Sequence, residues 1–246
     1  MRFRHFVVGF LAVLSFCLTR SAWSQLTYTV PVVDKSDLGS PVKISGTASF
    51  TELIVANSVK SSSSFKVDAQ NVCEKAIILV LAYFDEAGPH SVGTHQVIQL
   101  DHFFWGDIAP GVSFVLARSR PGRRTSADQT SPLRPADEPK AEISVQYVQF
   151  ADGSTFGDEA SAKDILGTRS AILDALRLLD NAGSNKEFLA LLAQKIQPDD
   201  ADSFLETFRH TEKHLGTAAA RAQLRTGLTV ADRRAPALRA VQAAKE

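Results

Sequence analysis

The stretch AIILVLAYF at residues 76–84 decides the fold of this chain, and the turn-forming residues DEAG at 85–88 end it. It is the longest unbroken apolar run after the N-terminal segment, and it is too short to span a bilayer. β-Branched and aromatic residues are frequent in it. An apolar run of this length between polar turn signals predicts a β-strand that is buried on both faces.

Segments on both sides of this run have the patterns of further strands. Phe65, Val67 and Ala69 alternate with polar residues, which predicts a half-buried strand at 65–71 that pairs with 76–84 as a hairpin. Residues 61–64 are a polar connection in this interpretation. The other predicted strands are 25–33, 41–50, 53–59, 94–100, 112–118 and 142–150. Seven or eight short strands without intervening helices predict an antiparallel immunoglobulin-like β-sandwich over residues 25–157.

One stretch interrupts the strand pattern before the last strand. Residues 118–140 hold four of the ten prolines, five arginines and almost no large apolar residue. Such a composition buries too little apolar surface to offset the entropy lost on ordering. We therefore predict a mobile Pro/Arg-rich loop at residues 119–140.

The hydrophobic period changes from strand-like to helical after Gly157. Ile165, Ile172 and Leu176 recur at helical spacing, and Asp158 or Ser161 is suited to cap the first turn. Two to three amphipathic helices are predicted over residues 158–215, which makes the whole fold α+β. They need to bury their apolar stripes against each other and the sheet. Residues 216–246 form an Ala/Arg-rich tail that is either loosely helical or disordered.

The N-terminus has the pattern of a secretory signal peptide over residues 1–24. Two arginines precede an apolar core at residues 6–18, and small residues precede a cleavage site near Ser24-Gln25. An uncleaved anchor and a lipidated Cys17 are the alternatives, but Phe16 is too large for the position before a lipidated cysteine. No later segment is long and apolar enough to span a bilayer. The expected location is extracytoplasmic, either periplasmic or secreted.

Composition excludes one broad class of function. The chain has 27 basic and 27 acidic residues, and three arginines but no acidic residue lie within residues 1–24. The remainder is therefore mildly acidic, which is not typical of a general nucleic-acid binder. Cleavage would leave Cys73 as the sole cysteine, either a buried small apolar residue or an unpaired thiol.

Four residues are candidates for binding a metal. His90, His95 and His102 lie close in sequence, and Asp101 precedes the last of them. Imidazole and carboxylate groups are ligands for zinc, copper or nickel, although this spacing matches no known ligand motif. Ordinary loop histidines are the alternative.

Three consecutive aromatic residues form the candidate interaction patch. Phe103, Phe104 and Trp105 cannot all point inward from one strand, because adjacent side chains face opposite ways. Either at least one is exposed as a binding patch for a partner, or the C-terminal helices cover the cluster. No catalytic set and no cofactor-binding motif was found, so an enzyme is not expected.

Residues from about 62 to 117 resemble small bacterial extracytoplasmic immunoglobulin-like modules of the FxLYD type. The matching features are residues 67–71, the turn at 71–75, the apolar run with its DEAG ending, the IAPG turn at 108–111 and residues 112–116. The resemblance implies an immunoglobulin-like fold and a binding or assembly role. It does not extend to residues 103–105, the 119–140 stretch or the helical region.

Together these observations favour a non-enzymatic interaction or assembly module without a cofactor. Its partner would be another extracytoplasmic protein that contacts residues 103–105 or the tail. The alternatives are a metal-binding protein that uses His90, His95, Asp101 and His102, and a structural role in which the tail is a helical assembly element.

Overall fold

The computed structural model describes residues 24–55, 57–90, 92–119, 129–133 and 135–234. Apart from Ser24, the predicted signal peptide lies outside the described residues, and so does the end of the tail at 235–246. Within the described part of the chain, two β-sheets are followed by four helices. The prediction of an α+β fold is therefore confirmed at this level. No helix among the described residues combines the length and the apolar content that a bilayer span requires.

The strands, in chain order, are β1 (Ser24–Pro31), β2 (Val33–Asp34), β3 (Val42–Val55), β4 (Ser58–Asn71), β5 (Ile77–Ala87), β6 (Thr94–Asp101), β7 (Ser113–Arg118), β8 (Gln129–Pro132), β9 (Lys140–Phe150) and β10 (Thr155–Gly157). The helices are α1 (Glu159–Asp180), α2 (Asn185–Leu192), α3 (Asp199–Leu215) and α4 (Thr217–Arg233).

The first sheet has the order β1-β3-β4-β7 and is built on one long hairpin. β3 and β4 have 14 residues each and pair along their whole length. The prediction of two strands at 41–50 and 53–59, with a polar connection at 61–64, was wrong. The chain continues as a strand through residue 52, and the serines of 61–64 belong to β4, because each of them pairs with a residue of β3 and Ser61 also pairs with β8.

The second sheet has the order β10-β9-β5-β6, with the short β2 parallel to β9. Its central strand β5 contains the apolar run, and residues 77–82 are all buried. The prediction that this strand is buried on both faces is confirmed. Val80, Ala82 and Phe84 face one cluster, whereas Leu79 and Leu81 contact helix α1 through a separate cluster.

The predicted hairpin between 65–71 and 76–84 was wrong, because β4 and β5 belong to different sheets. β5 instead pairs with β6 and β9. The connection after β4 crosses between the sheets and is held by Asn71, whose amide donates to the carbonyls of Lys75 at 2.8 Å and Ile108 at 2.9 Å. Half-buried Cys73 lies in this connection, and its thiol donates to Asn71 Oδ1 at 3.0 Å.

Part of the predicted mobile loop is ordered as a strand. β8 pairs with residues 58–61 of β4, along the edge that β7 leaves uncovered, so backbone hydrogen bonds order this segment despite its composition. Residues 120–128 and 134 of the predicted loop lie outside the described part of the chain.

Two large hydrophobic cores lie on the two sides of the second sheet, in addition to the small cluster of Leu79 and Leu81 against α1. Side chains of both sheets share the first core, which includes Phe50, Val67 and Val148. The four helices form the second core with Ile78 and the aromatic residues after β6. The second sheet therefore lies between the first sheet and the helices.

Capping residues and apolar faces in the sequence account for where the helices begin and how they pack. Asp158 caps α1, accepting the Ala160 N–H at 3.0 Å and the Ser161 hydroxyl at 2.9 Å. Within the predicted tail, residues 217–233 form the ordered helix α4. Its Ala220 and Leu224 are buried in the second core, because apolar residues four apart share one helical face.

Candidate functional site

The candidate site is the aromatic loop, residues 102–107, which directly follows β6. The His102 N–H donates to the Ile78 carbonyl at 2.8 Å, which attaches the loop to β5. A tight turn follows, in which the Trp105 and Gly106 N–H groups both donate to the His102 carbonyl. The sheet therefore determines the direction in which each aromatic side chain leaves the backbone.

The three aromatic side chains of this loop have two different environments. Phe103 is 0% exposed and Phe104 is 3% exposed, both within the second core, whereas Trp105 is 49% exposed. The Phe104 ring lies 4.9 Å from Phe204 of α3. The structure thus combines both sequence-based alternatives, because helices cover two of the rings and the third reaches the surface.

Trp105 rests on two aromatic rings of helix α3. Its ring centroid lies 5.4 Å from that of Phe204 and 6.4 Å from that of Phe208, with the second pair nearly parallel at 21°. Phe208 is fully buried and Phe204 is partly buried. Trp105 and the partly buried Phe204 together are called the Trp105 surface below.

A buried arginine joins the aromatic loop to helix α1. Arg169 is 1% exposed, and its Nε and Nη2 atoms each donate to an Asp101 carboxylate oxygen at 2.7 Å. Its Nη1 atom donates to the Gln149 amide oxygen. The guanidinium group also lies over the Phe103 ring, 4.6 Å from its centroid. This bidentate pair connects α1, β6 and β9 directly beneath the aromatic loop.

A second arginine holds the loop from the end of helix α4. Arg234 is 6% exposed, and its Nη1 atom donates to the carbonyls of His102 and Phe103. Burial lowers the pKa of Arg234, while the nearby Asp107 carboxylate opposes that change. The C-terminal basic residues thus contribute at least one contact that orders the aromatic loop.

The candidate metal ligands are not brought together. His95 and Asp101 are six residues apart on β6, which separates their Cα atoms by about 20 Å at ~3.3 Å per residue. His95 Nδ1 lies 2.8 Å from the Asp85 carboxylate, and the Asp101 carboxylate is occupied by the arginine of α1. The backbone N–H of His90 donates to Glu52. The backbone carbonyl of His102 accepts the hydrogen bonds of the loop turn. Across the described ranges, no group of three or more His, Cys, Asp or Glu residues is arranged to hold a metal ion.

Sequence reasoning missed the role of Arg169, although its pattern contains a signal. Arg169 lies four residues after Ile165 and three before Ile172, so it shares their apolar face. A charged residue in an apolar helical stripe indicates a buried ion pair. The partner, 68 residues earlier in the chain, has no such local signal.

Sequence reasoning also missed two buried glutamates. Glu52 has the same strand parity as Phe50 on β3, and Glu86 has the parity of Phe84 on β5. Both residues therefore point into the first core, where they are 0% and 3% exposed. The interpretation of β3 as two separate strands concealed the first of these positions.

In comparisons with known proteins, no family model, no curated protein and no solved structure matches this chain.

Proposed function

We propose that this chain is a non-enzymatic interaction module that binds another protein through the Trp105 surface. The observation that carries the proposal is that Trp105 is 49% exposed although it stacks on two aromatic rings. Tryptophan is enriched among the residues that dominate the binding energy of protein interfaces. An indole ring half-covered by its own chain keeps one face for an apolar or aromatic side chain of a partner.

The contacts that hold the loop around Trp105 favour a binding role for this residue over incidental exposure. The preceding Phe103 and Phe104 are buried, and two buried arginines hold the start of the loop through Asp101 and through the His102 and Phe103 carbonyls. Because the loop is already ordered, little conformational entropy remains to be lost when a partner binds. A pre-organised aromatic side chain is typical of a binding surface.

The proposal includes a fold relationship and a location. We infer that the two facing sheets form an immunoglobulin-like β-sandwich related to FxLYD-type modules, since the resembling residues 62–117 span β4 to β7. In immunoglobulin-like sandwiches the loops cluster at the two ends of the sheets, and in antibody variable domains the loops at one end form the binding site. The signal-peptide pattern of residues 1–24 supports an extracytoplasmic location for both this chain and its partner.

The experiment places a photo-crosslinking phenylalanine analogue at Trp105 in the organism that encodes the chain. The matched control carries the same analogue at Val97, an apolar residue of β6 that is 61% exposed. We expect a protein adduct of defined mass from position 105 and not from position 97. The same adducts from both positions, or none from position 105, would contradict the proposal.

A second variant separates loss of binding from loss of folding. Trp105→Ala removes the exposed ring and leaves the Phe204 and Phe208 rings in place. We expect it to lower the free energy of unfolding by less than about 2 kcal/mol, because half of the side chain is already in water. The adduct formed from an analogue at a neighbouring position, Asp107, should be lost in this variant.

A further inference from the structure

Two glutamate side chains lie inside the space between the two sheets. Glu52 of β3 is fully buried and Glu86 of β5 is 3% exposed. The alternation of each strand directs these side chains inward, beside the apolar residues of the first core. Carboxylates are rarely buried to this extent unless they are paired with an opposite charge or hold an ion.

Three contacts bring both carboxylates to the same end of the intersheet space. The Ser63 hydroxyl of β4 donates to Glu86 Oε1 at 2.7 Å and so connects the two sheets. Glu52 pairs with Ser61 in the ladder, which makes Ser63 its diagonal neighbour with Cα atoms roughly 7–8 Å away. The backbone N–H of His90, four residues after Glu86, donates to Glu52 Oε1 at 3.0 Å.

One oxygen of each carboxylate has no hydrogen-bond donor. Thr94 and Gln96 also donate to Glu86 Oε1, at 3.2 and 3.0 Å, so all of its donors meet at one atom. The Oε2 atoms of Glu52 and Glu86 are buried, and no hydrogen bond from the described residues reaches them. No lysine or arginine in the described part of the chain forms an ion pair with either residue.

Such a pair of buried negative charges requires neutralisation by a proton or by a cation. Burial raises the pKa of Glu86, and its hydrogen bonds from Ser63, Thr94 and Gln96 oppose that rise only in part. The described groups that donate to the two Oε1 atoms are the hydroxyls of Ser63 and Thr94, the Gln96 amide and the His90 backbone N–H. Carboxylate and hydroxyl oxygens are ligands that Ca²⁺ and Mg²⁺ prefer, and Ca²⁺ tolerates the less regular geometry.

We propose that Glu52 and Glu86 bind a calcium ion between the two sheets through their Oε2 atoms. The hydroxyl oxygens of Ser63 and Thr94, which lie 2.7 and 3.2 Å from Glu86 Oε1, are the neutral oxygens that the structure places beside this carboxylate. Because only two carboxylates contribute charge, the expected dissociation constant is on the order of 10⁻⁴–10⁻³ M. Binding would connect β3 and β4 of the first sheet to β5 of the second.

The test is a calorimetric titration of the full chain with calcium chloride at neutral pH in potassium chloride. We expect one saturable site in that affinity range and a rise in Tm of about 5 °C at 10 mM calcium. Glu52→Gln and Glu86→Gln keep the side-chain shape and remove the charge, and each should weaken binding at least tenfold. Glu74→Gln, at an exposed carboxyl in the turn after β4, should bind calcium as the unmodified chain does.

Hydrogen–deuterium exchange of the unmodified chain locates the site even if a glutamine variant fails to fold. Calcium should increase protection in β3, β4 and β5 around residues 52, 63 and 86. Absence of saturable binding, protection elsewhere, or unchanged binding in both folded glutamine variants would overturn the proposal. It would equally be overturned by a stability that rises as the pH is lowered and does not respond to calcium, because protonation of Glu86, whose pKa burial raises, would then replace the cation.

Discussion

Replacement of Asp101 by asparagine tests how the aromatic loop is held on the helices. The asparagine keeps an oxygen that is able to accept the Phe103 N–H, a bond of 2.8 Å in the structure. It removes the negative charge and places an NH₂ group against a guanidinium that donates at 2.7 Å to both carboxylate oxygens. Arg169, 1% exposed, then keeps its bond to Gln149, its contact with the Phe103 ring and its Nη2 bond to the remaining oxygen, but it loses the Nε bond and the opposite charge.

The expected cost follows from the burial of the two partners. Removal of one partner from a buried ion pair costs about 3–5 kcal/mol, because the remaining charge is left uncompensated. The Asp101 side chain is 22% exposed, so water relieves part of this penalty. We therefore expect Asp101→Asn to lower the free energy of unfolding by about 3 kcal/mol.

The assay is urea denaturation followed by far-ultraviolet circular dichroism and by tryptophan fluorescence. A Trp23→Phe background leaves Trp105 as the sole tryptophan, so the fluorescence reports on the aromatic loop itself. A double-mutant cycle adds Arg169→Leu, which removes the buried charge and keeps apolar volume. The double variant should be more stable than the sum of the single changes predicts, by about 1–3 kcal/mol.

A surface pair of the same chemistry provides the control. Arg225 and Asp180 lie 3.1 Å apart, but their side chains are 66% and 38% exposed. Asp180→Asn should cost less than about 1 kcal/mol. If Asp101→Asn costs no more than this control, or if the coupling to Arg169 is near zero, the buried pair does not hold the loop.

Two further predictions concern the second sheet. Leu79→Ala should lower the free energy of unfolding by about 2–5 kcal/mol, because it opens a cavity between β5 and α1. Val97→Ala, at a 61% exposed position, should cost less than about 0.5 kcal/mol in the same chemical denaturation, and equal costs would refute the burial argument. Burial raises the pKa of Tyr147 to about 12. In an absorbance titration of the tyrosines, the ionisation step at the highest pH should therefore be missing in Tyr147→Phe. Since the folded state holds this proton more tightly, stability should fall as the pH rises from about 10 to about 12, and a Tyr147→Phe variant with the same decline would contradict this.

Local patterns predicted the elements that depend on periodicity. The apolar run at 76–84 identified β5, and alternation at 142–150 identified β9. The stripe that begins at Ile165 and the cap at Asp158 identified α1. These features were visible because each depends on residues no more than a few positions apart.

Strand pairing was not predictable in the same way. The half-buried pattern of 65–71 is compatible with a place beside β5 or on the opposite sheet. The choice depends on the connection at 72–76, where Asn71 binds a carbonyl 37 residues later in the chain. Likewise, residues 61–64 form a strand because they pair with β3, and at Ser61 also with β8, which no local preference of serine indicates.

At the aromatic loop, too, the sequence predicted part of the arrangement and tertiary contacts decided the rest. The sequence required that adjacent aromatic side chains at 103–105 face different ways. Which ring reaches the surface depends on where α3 crosses the loop. The ion pair beneath the loop joins residues 68 positions apart, so only their meeting in space gives it a role.

By itself, the sequence determined the α+β class, the doubly buried strand β5 and the start of the helical region, because hydrophobic periods of two and 3.6 residues are local properties. Only the tertiary structure decided that β4 and β5 lie in different sheets, that Trp105 is the exposed aromatic residue, and that Glu52 and Glu86 point into the space between the sheets. Each of these outcomes depends on which distant surfaces meet, since burial and charge pairing are set by contacts across the fold and not by the order of neighbouring residues.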